Sequence, residues 1–109
     1  NSFGISTIVA AINAFEKDRD YCRGQIANYF EVFLKCSLEE RIKRDKKKLY
    51  QPALDGKKKF VVDVDIPFEK PNNANLVIET ENNSPENIAN KIIKGLNLKW
   101  KKKRSFMFL

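Results

Sequence analysis

Residues Ile5 to Ile12 read ISTIVAAI, a stretch rich in β-branched and small apolar side chains with no strict alternation. A strand with one wet face alternates apolar and polar residues. One that does not is expected to be covered on both faces, as in a parallel sheet. Parallel neighbours cannot be joined by a tight turn and need a crossover, usually a helix. The rest of the chain supplies that alternation. Asp18 to Ala27 reads as a short helix of mixed charge, and Tyr29 to Cys36 (YFEVFLKC) as a second strand. Ser37 with Glu40 three residues on is a capping-box pattern, and the helix it opens runs to about Lys46 with Leu38 and Ile42 one turn apart on its inner side. Asn75 to Thr80 (NLVIET) is a third strand. Ser84 is positioned to cap a last helix with Pro85 at its first position, and Ile88, Ala89, Ile92, Ile93 and Leu96 make one apolar stripe at helical spacing. Strands separated by helices predict βαβ units, an α/β fold with a three-layer parallel sheet of about three strands and three helices. Ligands on such sheets bind beyond the carboxyl ends of the strands, near Asn13, Phe15, Ser37 and Glu81.

With 109 residues the chain is one domain or part of one. Its longest apolar run, Ile8 to Ile12, is far short of the roughly 20 residues needed to cross a bilayer. The first residue is Asn1, which suits either a fragment or a processed chain, and no charged segment leads into an apolar one as in a signal peptide. Cys22 and Cys36 are too few and too far apart for a zinc site or a redox pair, and fit reduced thiols in a cytoplasmic protein. The absence of histidine removes Ser-His-Asp and Cys-His catalysis and any histidine-based metal site. No metal ligand set and no catalytic residue is assigned.

The net charge of +7 is concentrated at Lys46–Lys48, Lys57–Lys59 and Lys101–Arg104. Such clusters attract polyanions, or are simply a solvated basic surface. Acidic residues between them, and the lack of a stacking-aromatic motif, argue against nucleic acid. From Lys48 to Asn73 the pattern breaks, with Pro52, Gly56, Pro67 and Pro71, a cluster of lysines and one apolar patch from Phe60 to Val64. A connection this long in a compact domain is usually functional or disordered. Mobile loops bearing arginine and lysine are how kinases close over phosphates, because phosphoryl transfer is catalysed mainly by positioning and by neutralising charge.

The stretch from Phe30 to Thr80 carries a more specific signal. Its Arg44-Asp45-(x)3-Leu49-Tyr50, the following Ala53, Gly56 and Lys59, then Phe68-Glu69-Lys70-Pro71 and Leu76-Val77-Ile78-Glu79-Thr80, keep the order and spacing of the adenylylsulfate kinase family, and Asn13 to Asp20 is similar to that family's segment upstream. The chain therefore resembles the C-terminal half of an adenylylsulfate kinase, a P-loop phosphotransferase, over roughly Ile5 to Leu96. The resemblance implies residues 1–97 as the C-terminal part of such a domain, a lid at about 44–72 and a tail at 98–109. It implies Arg44 and Lys47 on the ATP side, Leu49, Tyr50, Asp65 and Phe68 in the lid, and Asn13, Phe15, Asp18, Arg19, Lys59, Phe60 and Val61 on the side of the nucleotide substrate. It also implies ATP with magnesium, supplied through the other half, a cytoplasmic enzyme with no membrane span, and room for a homodimer. The reaction implied is transfer of the ATP γ-phosphate to the ribose 3′-hydroxyl of adenylylsulfate.

Several positions depart from the family pattern. Asn13 stands for its serine, Ala14 for its proline and Glu16 for its arginine; Lys48 replaces the lid glycine and Asp63 the glycine of Gly-Ile-Asp. Val61 stands where the family stacks a phenylalanine on the substrate adenine, with Phe60 one place earlier as a substitute. These changes gather on the acceptor side and point to a relative acting on another nucleotide, such as a cytidine diphosphate derivative. No G-x-x-x-x-G-K-[ST] occurs, so the chain as given is expected to be inactive alone, and an inactive remnant or a basic binding module remains the alternative. In the family fold the strand leading into that loop lies between the strands matching Ile5–Ile12 and Phe30–Lys35, so these two must pair directly, lie exposed or borrow a partner.

Overall fold

A computed structural model describes residues 6–97 and 105–108. The element order is β1 (Ile8–Ala10), α1 (Glu16–Gln25), β2 (Tyr29–Lys35), α2 (Leu38–Arg44), α3 (Tyr50–Leu54), β3 (Leu76–Glu79), α4 (Pro85–Asn97) and β4 (Ser105–Phe108). All pairings are parallel, and the sheet order is β1-β4-β2-β3. The α/β class and parallel sheet expected from the sequence are present, with a fourth strand and the short helix α3 in addition. Trp100, the Lys101–Arg104 run and Ile5 lie outside the described residues.

The fourth strand comes from the tail. Its backbone lies between β1 and β2, with Ile8 opposite Phe106 and Phe30 opposite Phe106 on the other side. It thus occupies the position that the family resemblance gives to the strand before the phosphate loop, and it satisfies the ladder of β2 on that side. β1 is an edge strand in this arrangement. Its residues are exposed, Ile8 by 69% and Val9 by 41%, so the double cover expected for Ile5 to Ile12 is not met among the described residues. Nothing described packs beyond it, which is why an apolar strand sits in solvent.

β2 is the organising strand because its two faces do different work. Phe30, Val32 and Leu34 point to one side, where Val32 is completely buried and Phe30 and Ile78 nearly so. Ile88, Ile92 and Leu96 of α4, together with Leu76, close over them. Burying each such side chain contributes about 1.5–3 kcal/mol. Ile93, on the same sequence stripe, is more than half exposed and marks its edge. Glu31, Phe33 and Lys35 face the other way, toward α1 and the long connection.

The helix starts follow the sequence. Ser84 Oγ accepts from Asn87 N–H at 3.1 Å, and Pro85 opens α4. At α2 the capping box is half formed. Ser37 Oγ accepts from Glu40 N–H at 3.2 Å, but Glu40 turns instead to Arg44 at 2.7 Å, and the Ser37 N–H donates to the Glu81 carboxylate at 2.6 Å. That bond holds the Glu81 carboxyl below its ordinary range and ties the start of α2 to the end of β3.

Candidate functional site

The strand ends at Lys35, Glu79 and the loop after Ala10 open on one side of the sheet, and the connection from Asp45 to Pro71 arches over them. Its start is fixed by Asp45, whose carboxylate accepts the backbone N–H groups of Leu49 and of Tyr50 (2.9 Å for the latter). α3 then makes one turn, with Ala53 buried, and Gly56 reverses the chain at φ 72°. The tip is built around Asp65, which accepts from Phe60 N–H at 2.7 Å and Val61 N–H at 2.6 Å; these bonds hold its carboxyl below the ordinary aspartate value. The return is clamped to α1. Glu69 N–H donates to Ala14 O at 2.9 Å, Glu16 N–H donates to the Glu69 carboxylate at 2.7 Å, and the Phe68 ring stacks on Phe33 at 5.8 Å.

Three bulky residues of this connection adopt the left-handed backbone region: Lys48 at φ 51°, Phe60 at 64° and Asp63 at 66°. Lys48 and Asp63 are the positions at which the family pattern has glycine. A side chain in this region costs about 1–2 kcal/mol that glycine would not incur. Strained residues of this kind gather where function over-determines the geometry.

Two cavities share part of their walls at the strand ends, one under the arch and one between α2 and α4. One, of about 500 Å3, includes Ile12, Phe33, Ser37, Asp63, Phe68 and Lys70 in its walls; the other, of about 610 Å3, includes Arg44, Thr80, Pro85 and Ile88. Leu34, Cys36, Arg41 and Tyr50 line both. Arg41 is the most constrained of these. Its guanidinium lies over the Tyr50 ring at 5.6 Å, donates to the Tyr50 hydroxyl at 3.4 Å and forms an ion pair with Asp63. Burial opposes its charge, but the bonds to Asp63 and Tyr50 prevail and raise its pKa further. Sequence reading missed Arg41, since nothing in the spacing distinguishes it from other charged residues of α2.

The expected site residues divide. Tyr50 and Phe68 line the cavity under the arch, and Arg44 lies in the wall of the second, its guanidinium 3.4 Å from Thr80 O and 2.7 Å from Glu40. Val61 is half-buried beside the tip, and Asp65 organises it without lining either cavity. Lys47, Lys59 and Asp18 are exposed, and Phe60 is 83% exposed. Leu49 and Asn13 are half-buried, and Phe15 precedes α1 with the Lys17 ammonium over its ring. Arg19 is different in kind. It is completely buried, and donates to Asn13 O at 2.5 Å, to Glu69 O at 2.5 Å and to the Glu16 carboxylate, beneath the Phe68 ring at 5.7 Å. Its donors go to groups of the chain itself, so it ties the segment before α1 to the end of the arch and lines neither cavity.

The chain matches the family profile described as Adenylylsulphate kinase over residues 1–79. It belongs to the adenylylsulphate kinase family. A cytidine diphosphoramidate kinase of Campylobacter jejuni is 42% identical over 99 residues, covering 90% of this chain and 58% of the relative. A probable adenylyl-sulfate kinase of Archaeoglobus fulgidus is 40% identical over 80 residues, covering 73% and 52%, and an adenylyl-sulfate kinase of Oceanobacillus iheyensis 37% identical over 92 residues, covering 83% and 46%. The chain thus spans about half the length of the curated relatives it matches. No solved structure matches it significantly. Among the described residues no helix is long and apolar enough to cross a membrane, and no group of carboxylates and thiols could hold a metal ion.

Proposed function

We propose that this chain is the acceptor- and lid-bearing part of an ATP-dependent kinase of the adenylylsulphate kinase family, moving the γ-phosphate to a ribose hydroxyl of a nucleotide substrate. The observation that carries the reading is the pair of adjoining cavities at the strand ends, one under the arch and one between α2 and α4, with Arg41 and Tyr50 in the walls of both. Two nucleotides must meet for the transfer, and a shared wall of this kind suits a donor on one side and an acceptor on the other. Arg44, Thr80 and Pro85 fit a flat base on the donor side. The cations Lys35, Arg41 and Lys70 fit an anionic acceptor on the other. Magnesium, which neutralises phosphate charge in such chemistry, would enter with ATP and be held through the part of the enzyme that carries the phosphate-binding loop. What these residues contribute is binding, exclusion of water and placement of charge. The enzyme so described works in the cytoplasm.

Adenylylsulfate is the family acceptor. The acceptor side favours a second reading, a cytidine diphosphate derivative such as the substrate named for the Campylobacter relative. The charge at position 16 is the decisive feature. The family's arginine is here Glu16, and its carboxylate is turned inward onto Arg19. A positive group that could meet the sulfate is replaced by an internal ion pair. Val61 likewise removes the ring that would stack on adenine. The test is turnover of the complete protein with ATP and each acceptor in turn. Phosphorylation of cytidine diphosphoramidate well above that of adenylylsulfate supports the second reading, and the reverse preference restores the first.

A further inference from the structure

We propose that Arg41 is an anion-binding residue of the nucleotide cavities and that Asp63 holds it in reserve, its carboxylate standing in for a substrate phosphate until one arrives. The proposal rests on the kinase reading only for the identity of the ligand. Arg41 sits in the wall common to both cavities, so its guanidinium can reach an anion on either side. The Tyr50 ring at 5.6 Å, its hydroxyl on Nη1 at 3.4 Å and the Ser37 carbonyl on Nε at 3.4 Å fix the plane of the guanidinium and leave Nη2 as the arm open to a phosphate or a carboxylate. In this structure that arm is taken by Asp63.

Asp63 is built to let go. It is 44% exposed against 26% for Arg41, so water competes for its carboxylate. It stands on the strained turn from Val61 to Ile66, at φ 66°, between Lys57–Lys59 and the clamped return at Phe68 and Glu69. Asp45 fixes the start of the arch, and Glu69 fixes its end. Among the described residues the Asp63–Arg41 pair is the ion pair joining the tip to the body. A partly exposed pair of this type contributes about 0.2–1 kcal/mol, little enough for a phosphate carrying more charge to displace it. Displacement would free the tip at the moment the cavity fills and couple acceptor arrival to movement of the arch.

The experiment titrates inorganic pyrophosphate, and separately CDP, into the complete protein by calorimetry. Asp63→Asn removes the competitor and is expected to tighten pyrophosphate about 2- to 5-fold. Arg41→Gln is expected to weaken it about 10-fold, and Arg41→Lys, which keeps the charge without the fork, to fall between. The decisive arm is Arg41→Gln with Asp63→Asn, in which the second change should have no effect, because the carboxylate then has nothing to mask. An equal gain from Asp63→Asn in both backgrounds would mean only a general relief of negative charge, and would overturn the proposal. Weaker binding by Asp63→Asn, or no pyrophosphate binding by the unaltered protein, would do the same. Binding needs no turnover, so a protein that shows the coupling yet transfers no phosphate would sink the proposed reaction and leave this inference standing.

Discussion

Replacing Arg19 by methionine should destabilise the protein strongly, because the acceptors it leaves behind are poorly reached by water. The methionine keeps the apolar stem under Phe68 and loses the guanidinium. Three acceptors then lose their donors: Asn13 O, Glu69 O and the Glu16 carboxylate. The Glu16 side chain is only 19% exposed, and its Oε1 already has no partner. Breaking a buried pair by deleting one member costs about 3–5 kcal/mol, a large share of the roughly 5–15 kcal/mol that holds a domain together. Removing both charges is far cheaper, so Glu16→Gln combined with Arg19→Met should recover most of the loss. Urea unfolding followed by circular dichroism measures both, with an unchanged slope as the sign that only stability has moved. A loss under about 1 kcal/mol for Arg19→Met, with nucleotide affinity falling instead, would refute the reasoning and return Arg19 to the substrate.

The left-handed lysine gives a second test: Lys48→Gly should raise stability by about 0.5–1 kcal/mol, the strain relieved less the extra freedom of the unfolded glycine, and a loss would contradict the φ assignment. Gly95 in α4 leaves room for a methyl, whose nearest neighbour would be Leu76 Cδ2 at 3.4 Å, so Gly95→Ala should stabilise by up to about 1 kcal/mol while Gly95→Leu costs about 1–3 kcal/mol by crowding Leu76 and Phe30. The Asp65 carboxyl has a folded pKa below its unfolded one, so its support of the tip is complete above the unfolded value and disappears as pH falls through the folded one; the amide resonances of Phe60 and Val61 should report a midpoint below the ordinary aspartate range, and a midpoint above it would contradict the bonds to Asp65. Phe60→Gly should leave stability unchanged or slightly higher, since the ring is exposed and its φ is positive, while weakening acceptor binding if the ring serves as the stacking substitute; unaltered affinity by calorimetry would remove Phe60 from the site.

How legible this was depended on whether the physics was local. The Ser84-Pro85 start and the 88-92-96 stripe of α4 are statements about one helix, and both could be read directly. So could β2, whose YFEVFLK holds strand-forming residues throughout. What the sequence could not carry was partnership across distance. Ser37 and Glu40 spell a capping box, yet Glu81, 44 residues on, takes the Ser37 N–H. SFMF reads equally as a disordered end, a partner-binding segment or an extra strand until its backbone is placed between β1 and β2. Arg19 reads through the family resemblance as a residue of the substrate side and is buried, because its three acceptors come from Asn13, Glu16 and the far end of the arch. The substitutions at 48 and 63 were visible as departures from a family pattern. Their positive φ values are the conformation that glycine adopts without strain.

The proposed reaction needs the arch from Asp45 to Pro71 to cover the place where a phosphate passes from ATP to a second nucleotide. Incubating the complete protein with ATP labelled in its γ-phosphate and with adenylylsulfate or cytidine diphosphoramidate shows where the label goes. Label is expected on the nucleotide acceptor, at a rate that falls when Arg41 is changed to Gln. Label released only as inorganic phosphate, or left on ATP with both acceptors present, would contradict it.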